Sequence, residues 1–67
     1  MQIYSYVLKT ESGDLCHKIL INKNYDNAID FMKNEMDWEY DAWITEGYTD
    51  EEIPYNYFDK QQLEFLL

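Results

Sequence analysis

Hydrophobic and polar residues alternate along the first third of the chain. From Gln2 to Thr10, and again from Leu15 to Asn22, bulky residues recur at every second position, which is the period of a β-strand. Both faces of the first segment carry bulk, which favours a strand that is well covered. Between the two segments, Glu11-Ser12-Gly13-Asp14 supplies a turn in which Gly13 can adopt a positive φ. The pattern predicts an antiparallel hairpin.

Beyond Asn24 the apolar residues follow a helical period. They are Tyr25, Ala28, Ile29, Met32 and Met36. Asn24 suits the N-cap position, and Asp26 in the first turn complements the positive end of the helix dipole. We therefore predict a helix over residues 25–36.

Alternation returns in the segment from Asp37 to Thr45. One side carries Trp38, Tyr40, Ala42 and Ile44, and the other carries Asp37, Glu39, Asp41, Trp43 and Thr45. This spacing predicts a third strand with one apolar and one anionic face. In such a strand Trp38 is buried and Trp43 is exposed.

The C-terminal third contains a loop and one further element. The loop runs from Glu46 to Glu52 around Gly47, and Pro54 prevents its acidic end from starting a long helix. Residues 59–67 fit either a short helix, with Leu63, Leu66 and Leu67 inward, or a fourth strand, and the helix is the preferred prediction. The expected fold is a single α+β domain over residues 1–67, in the order β-β-α-β, with the helix on one face of a small antiparallel sheet.

The net negative charge is concentrated in one part of the chain. The net charge is −9, and the segment Glu35–Glu52 holds eight carboxylates, two Trp and two Tyr without a single Lys or Arg. Residues 1–33 carry four acids against four lysines. A chain this acidic is repelled by phosphates and anionic lipids, so nucleic acid and membranes are poor partners.

Residue types that support catalysis or metal binding are scarce. Cys16 and His17 are single and adjacent, so on a strand they point to opposite faces and cannot act as a nucleophile–base pair. Zinc would need a second His or Cys. The run Asp37-x-Glu39-x-Asp41 resembles the start of a calcium loop, but Ala42 and Tyr48 replace the required Gly and Glu. We expect no enzymatic activity, no metal and no cofactor.

A cytoplasmic location is expected from two further features. One cysteine permits no disulfide within the chain. The run Ile3–Leu8 is too short and too polar for the apolar part of a signal peptide, and no run approaches the length of about 20 apolar residues that a membrane helix needs.

The acidic segment itself is the main functional signal. On a strand, Asp37, Glu39 and Asp41 would form a row of carboxylates about 6.6–6.8 Å apart, which approximates every second phosphate of a DNA strand, with Trp43 on the same face. This pattern predicts docking on a basic partner protein. The predicted contact residues are Glu35, Asp37, Glu39, Asp41, Trp43, Glu46, Asp50, Glu51 and Glu52.

Two alternatives stay open. Acidic runs are usually solvated faces that keep a small protein soluble, and the charge then has no partner. The chain could also be a self-assembling module, most simply a homodimer, that associates through its C-terminal apolar residues. Those residues are Leu63, Phe65, Leu66 and Leu67.

In size, charge and predicted layout, the whole chain resembles the small acidic inhibitors that bacteriophages and mobile elements encode against their hosts. These include DNA mimics, anti-restriction and anti-CRISPR proteins, and inhibitors of uracil-DNA glycosylase or RNA polymerase. No motif supports the resemblance, so no residue role is carried over from such proteins. The resemblance implies an inhibitor that occupies the nucleic-acid-binding groove of a host protein.

Overall fold

The computed structural model describes residues 1–65, which form two compact units. The sheet unit comprises residues 1–24 and 55–65, and the helical unit comprises residues 25–54. The sheet unit contains strands β1 (Gln2–Thr10), β2 (Leu15–Ile21) and β3 (Tyr55–Phe65). The helical unit contains helices α1 (Ala28–Glu35) and α2 (Asp37–Thr45). The fold is therefore α+β, as predicted, but its order is β-β-α-α-β.

The predicted hairpin is confirmed. β1 and β2 pair antiparallel, from Ile3 opposite Ile21 to Lys9 opposite Leu15. In the turn, Gly13 has a φ of 100° and its N–H donates to the Thr10 carbonyl at 3.0 Å. A side chain is strained at such a φ, which explains why a glycine occupies this position.

β3 pairs antiparallel with the other edge of β1, so the strand order is β2-β1-β3. The pairing runs from Gln2 opposite Phe65 to Thr10 opposite Tyr55, with two irregularities in register. The preferred prediction of a C-terminal helix is wrong for residues 59–65, where the alternative of a strand is correct. Backbone hydrogen bonding to β1, and not the short apolar pattern of these residues, determines their conformation. Leu66 and Leu67 lie outside the described residues.

The core of the sheet unit is formed by every second residue of the central strand. Tyr4, Tyr6, Leu8 and Thr10 are all buried. The Tyr6 hydroxyl donates to the Lys23 carbonyl at 2.6 Å, so this tyrosine is buried with its polar group satisfied. The Tyr6 ring stacks on Phe58 at a centroid distance of 6.3 Å.

In the helical unit, α1 begins later than predicted. Its N-cap is Asn27, whose side chain accepts a hydrogen bond from the Asp30 N–H at 2.9 Å. The prediction of Asn24 as the cap is wrong, and the side chain of Asn24 instead accepts a hydrogen bond from Lys60. Tyr25 precedes the helix, and its ring contacts Phe31 edge-on at 5.9 Å.

The prediction of a strand over Asp37–Thr45 is wrong, because this segment is α2. Met36 separates the two helices, and its N–H donates to the Met32 carbonyl while its own carbonyl accepts from Tyr40 at 3.0 Å. The helical spacing continues from Met32 through Met36 and Tyr40 to Trp43, so one stripe serves both helices. The buried apolar side chains of this unit are Ala28, Phe31, Met32, Met36 and Ile53.

Among residues 1–65, no helix is long and apolar enough to cross a membrane.

Candidate functional site

The outward side of α2 presents a tryptophan beside two carboxylates. Trp38 is 74% exposed, and Asp37 and Asp41 are also exposed. Asp37 and Asp41 are one helical turn apart, Ile44 follows Asp41 by three residues, and Trp38 precedes it by three. Residues at these spacings are neighbours on a helix surface, with Cβ atoms about 5–6 Å apart. Asp37, Trp38, Asp41 and Ile44 are called the outer face of α2 below.

The predicted row of three carboxylates does not form. Residues two apart lie on one side of a strand but on nearly opposite sides of a helix, and Glu39 is accordingly buried, with 9% of its surface exposed. Asp37 and Asp41 remain together, because they are four residues apart. The phosphate-like spacing of three charges is therefore replaced by a pair of carboxylates with Trp38 beside it.

Neither tryptophan has the burial that the strand prediction gave it. Trp43 is half-buried, and its ring contacts Tyr48 edge-on at a centroid distance of 4.9 Å. Trp38, predicted to be core, is exposed, as is Ile44. The helical stripe through Met36, Tyr40 and Trp43 was visible in the sequence and would have placed Trp38 outside.

Asp50 has a structural role that the sequence did not indicate. Its carboxylate accepts hydrogen bonds from the Tyr40 hydroxyl and, at 3.1 Å, from the Lys33 ammonium. Lys33 also lies 5.5 Å from the centre of the Tyr40 ring. Asp50 thus ties the loop after α2 to both helices of the unit.

These contacts shift the pKa values of all three groups. The hydrogen bond from Tyr40, and then that from Lys33, lowers the pKa of Asp50. The hydrogen bond to Asp50 raises the pKa of both Tyr40 and Lys33. The Lys33 and Asp50 side chains are 42% and 44% exposed, so solvent screens the pair and it orders the loop more than it stabilises the fold.

Two other predicted contact residues are also held by local hydrogen bonds. Glu52 accepts from the Thr49 backbone N–H and hydroxyl, each at 3.0 Å, and these bonds lower the pKa of Glu52. Glu35, at the end of α1, accepts from the Tyr25 hydroxyl at 2.5 Å. Both carboxylates therefore contribute to the local structure of the helical unit.

The remaining predicted residues, Glu46 and Glu51, are exposed, at the C-cap of α2 and in the turn that follows. The structure thus brings Asp37 and Asp41 together beside Trp38. It removes Glu39 from the surface, and it assigns Asp50, Glu52 and Glu35 to internal contacts.

The charge of the protein is divided between the two units in an extreme way. The helical unit holds ten carboxylates and one lysine, a net charge of −9. The sheet unit holds four carboxylates and four lysines, a net charge of zero. The whole net charge therefore belongs to the helical unit.

The side chains that could support catalysis, Ser5 and His17, lie in the sheet unit and not on the outer face of α2. His17 Nε2 lies 2.9 Å from the Ser5 hydroxyl, but both residues project from the open surface of the sheet. Within the described part of the chain, no three His, Cys, Asp or Glu side chains are grouped so that they could hold a metal ion.

No protein-family model, curated protein or solved structure matches this chain.

Proposed function

We propose that the protein binds a basic partner protein through the outer face of α2, without catalysing a reaction. The observation that carries this proposal is the exposure of Trp38 beside Asp37 and Asp41 on a unit with a net charge of −9. An isolated tryptophan is a costly residue to leave in water, and tryptophan is the residue type most enriched among the energetic anchors of interfaces.

The carboxylates supply electrostatic attraction to a basic surface, which the tryptophan cannot provide. A field of nine negative charges accelerates encounter with a basic surface. Asp37 and Asp41 then lie close enough to the indole to pair with Lys or Arg side chains that surround a pocket for Trp38. The distribution of roles is that of a typical interface, in which an apolar anchor is surrounded by polar contacts.

Nucleic-acid-binding proteins are the class of basic partner that we propose. Their phosphate-binding sites combine clustered lysines and arginines, which complement a pair of carboxylates about one helical turn apart. The protein would then inhibit its partner by occupying the groove that receives nucleic acid.

The test begins with affinity capture from a host lysate at low and at high salt. Binding of the captured protein is then measured for the parent and for two variants of the outer face, Trp38→Ser and Asp37→Asn/Asp41→Asn. The matched control is Glu11→Gln/Asp14→Asn, which removes the same number of charges from the exposed hairpin turn of the sheet unit.

If the proposal is correct, Trp38→Ser weakens binding by at least about 30-fold, as expected for an interface anchor. The double asparagine variant weakens binding and flattens its salt dependence, whereas the control changes affinity little. Duplex DNA added to the captured partner displaces the protein. Equal binding by parent and outer-face variants across salt would show that this face is merely solvated, and failure of DNA to compete would exclude the groove.

A further inference from the structure

The face of the sheet opposite the buried residues of β1 carries several exposed apolar side chains. It is called the open face below. Residues paired directly across strands project from the same face of a sheet. Ile3, Ser5, Val7 and Lys9 of β1 therefore share one face with their partners in β2, which are Ile21, Ile19, His17 and Leu15. The β3 residues on this face are the partners of Lys9, Val7 and Ser5, which are Tyr57, Asp59 and Gln61.

Most of the apolar surface on this face is open to solvent. Leu15 is 68% exposed, Ile19 59%, Ile21 57% and Tyr57 52%. β2 is an edge strand, so nothing in the sheet lies beyond it. Isolated exposed apolar residues are ordinary, but a contiguous apolar face is characteristic of an interaction surface.

We propose that this face packs against the same face of a second copy of the chain, giving a two-fold symmetric dimer of sheets. The first reason is charge. The sheet unit is neutral, so it offers no attraction to a strongly charged partner and little local repulsion to its own copy. The −9 charge lies in the other unit.

The second reason is the state of the polar groups in the centre of the face. Ser5 and His17 are diagonal neighbours on β1 and β2, because His17 pairs with Val7, and their side chains are hydrogen-bonded at 2.9 Å. Burying this pair leaves fewer polar groups without a partner than burying two separate polar side chains would. The centre of the face is therefore suited to lose contact with water.

The third reason is area. The four most exposed apolar side chains offer roughly 300 Å² for burial. With the half-exposed Ile3 and Val7 beside them, the footprint is about 450 Å² per copy, or about a tenth of the accessible surface of 4522 Å². This share is normal for a small protein, but two such footprints give about 900 Å², which is below the roughly 1,200 Å² of stable interfaces and in the range of weak, transient ones. The dimer should accordingly be weak and concentration-dependent.

Symmetry sets the pairing within the dimer. A two-fold axis across the strands places β2 of one copy over β2 of the other, running in the opposite direction. Leu15 then lies over Ile21 of the second copy, and His17 lies over its Ile19. Leu15 and Ile21 thus meet apolar partners of similar size, and Ile19 meets the imidazole of His17, in sheets that pack face to face about 10 Å apart.

Salt gives this dimer a signature opposite to that of the proposed acidic complex. Two copies with a net charge of −9 each repel one another, and added salt screens this repulsion. Dimerisation should therefore strengthen as salt rises, whereas binding of a basic partner to the outer face of α2 should weaken. The two proposals can fail independently.

Sedimentation equilibrium at protein concentrations from about 10 μM to about 1 mM, in low and high salt, tests the dimer. The variant Ile19→Thr/Ile21→Thr makes the face polar but keeps two β-branched residues, which strands accommodate well. The matched control is Ile44→Thr, which also removes an exposed apolar side chain, but from the helical unit. Leu63→Thr tests association through the C-terminal apolar residues. Circular dichroism verifies that all the variants are folded.

We expect the parent to dimerise more tightly at high salt, the double threonine variant to lose at least about tenfold in affinity, and Ile44→Thr to stay within about twofold of the parent. A parent that is monomeric throughout this range would overturn the proposal. A dimer that Leu63→Thr disrupts and the double variant does not would also overturn it, and would indicate association through the C-terminal apolar residues.

Discussion

The sheet unit and the helical unit fold under different electrostatic conditions. The sheet unit is neutral and is joined by the backbone ladders of β1 with its two neighbours. The helical unit must fold against the mutual repulsion of ten carboxylates with one lysine to offset them. It does so with a side-chain cap at Asn27 and a bridge from Lys33 to Asp50.

This difference teaches that a unit of this size does not need so large a net charge in order to fold. A neutral unit of similar size is present in the same chain, so exposed carboxylates such as Asp37 and Asp41 are not explained by stability. Residues that oppose folding are commonly retained where they serve function, which is why the acidic unit, and not the sheet, carries the proposed partner surface.

The largest expected effect is in the core of the helical unit. Phe31 is fully buried, so Phe31→Ala should lower the free energy of unfolding by about 3–5 kcal/mol. Ile19→Ala in the sheet unit, where the side chain is mostly exposed, should cost far less. Urea denaturation followed by circular dichroism measures both, and similar losses would contradict the assigned burial.

A smaller effect is expected at the start of α1. Asn27→Ala removes the side chain that caps the helix and should cost about 1 kcal/mol of stability. Asn24→Ala is the comparison variant, because the Asn24 side chain bonds Lys60 and caps nothing in α1. Urea midpoints compare each variant with the parent, and an unchanged midpoint for Asn27→Ala would contradict the cap.

The bridge at Asp50 should appear as a dependence of stability on acid. The pKa of Asp50 is lower in the folded protein than in the unfolded chain, so its contribution is complete above about pH 4 and is lost as the pH falls through the folded value. Asp50→Asn should therefore lose less stability than the parent on acidification from about pH 5 to pH 2. Urea midpoints across this range test the difference, and parallel curves would show that Asp50 is not held by Tyr40 and Lys33.

The smallest effect concerns like charges on α2. Asp41→Asn removes the repulsion from Asp37 one turn earlier and should raise stability by about 0.2–0.5 kcal/mol, less at high salt. Asp14→Asn in the neutral sheet unit should give no such salt-dependent gain. Thermal unfolding at two salt concentrations compares them, and equal behaviour would mean that the charge of the helical unit does not strain it.

The sequence predicted the hairpin because both of its signals are local. Alternation specifies each strand, and Gly13 marks the turn between them. The segment from Asp37 to Thr45 was wrongly predicted to be a strand because its apolar residues fit two periods. Trp38 and Tyr40 fit the two-residue period of a strand, and Met36 and Trp43 fit the 3.6-residue period of a helix. A short segment of this kind is decided by its neighbours, and α1 directly before it supplies the stripe that α2 continues.

The residue types of the candidate site were predicted from the sequence, but the face that each residue occupies was not. The concentration of carboxylates and aromatic residues is a property of composition, and it was visible at once. Which of them share a face depends on the period of the segment, so assigning a strand exchanged Trp38 for Trp43 and gave Glu39 a place at the surface. The bridge from Lys33 to Asp50 joins residues 17 apart, and no local pattern predicts such a contact.

The order of the strands also has a consequence for the rate of folding. β1 meets β2 across a four-residue turn, but it meets β3 only after the whole helical unit, as in the hydrogen bond from Asn56 to the Thr10 carbonyl across 46 residues. Closing so long a loop costs more entropy than closing the hairpin, and contacts of high sequence separation slow folding. The hairpin should form early and the third strand should join late, so until then the β3-facing edge of β1 is exposed to other chains.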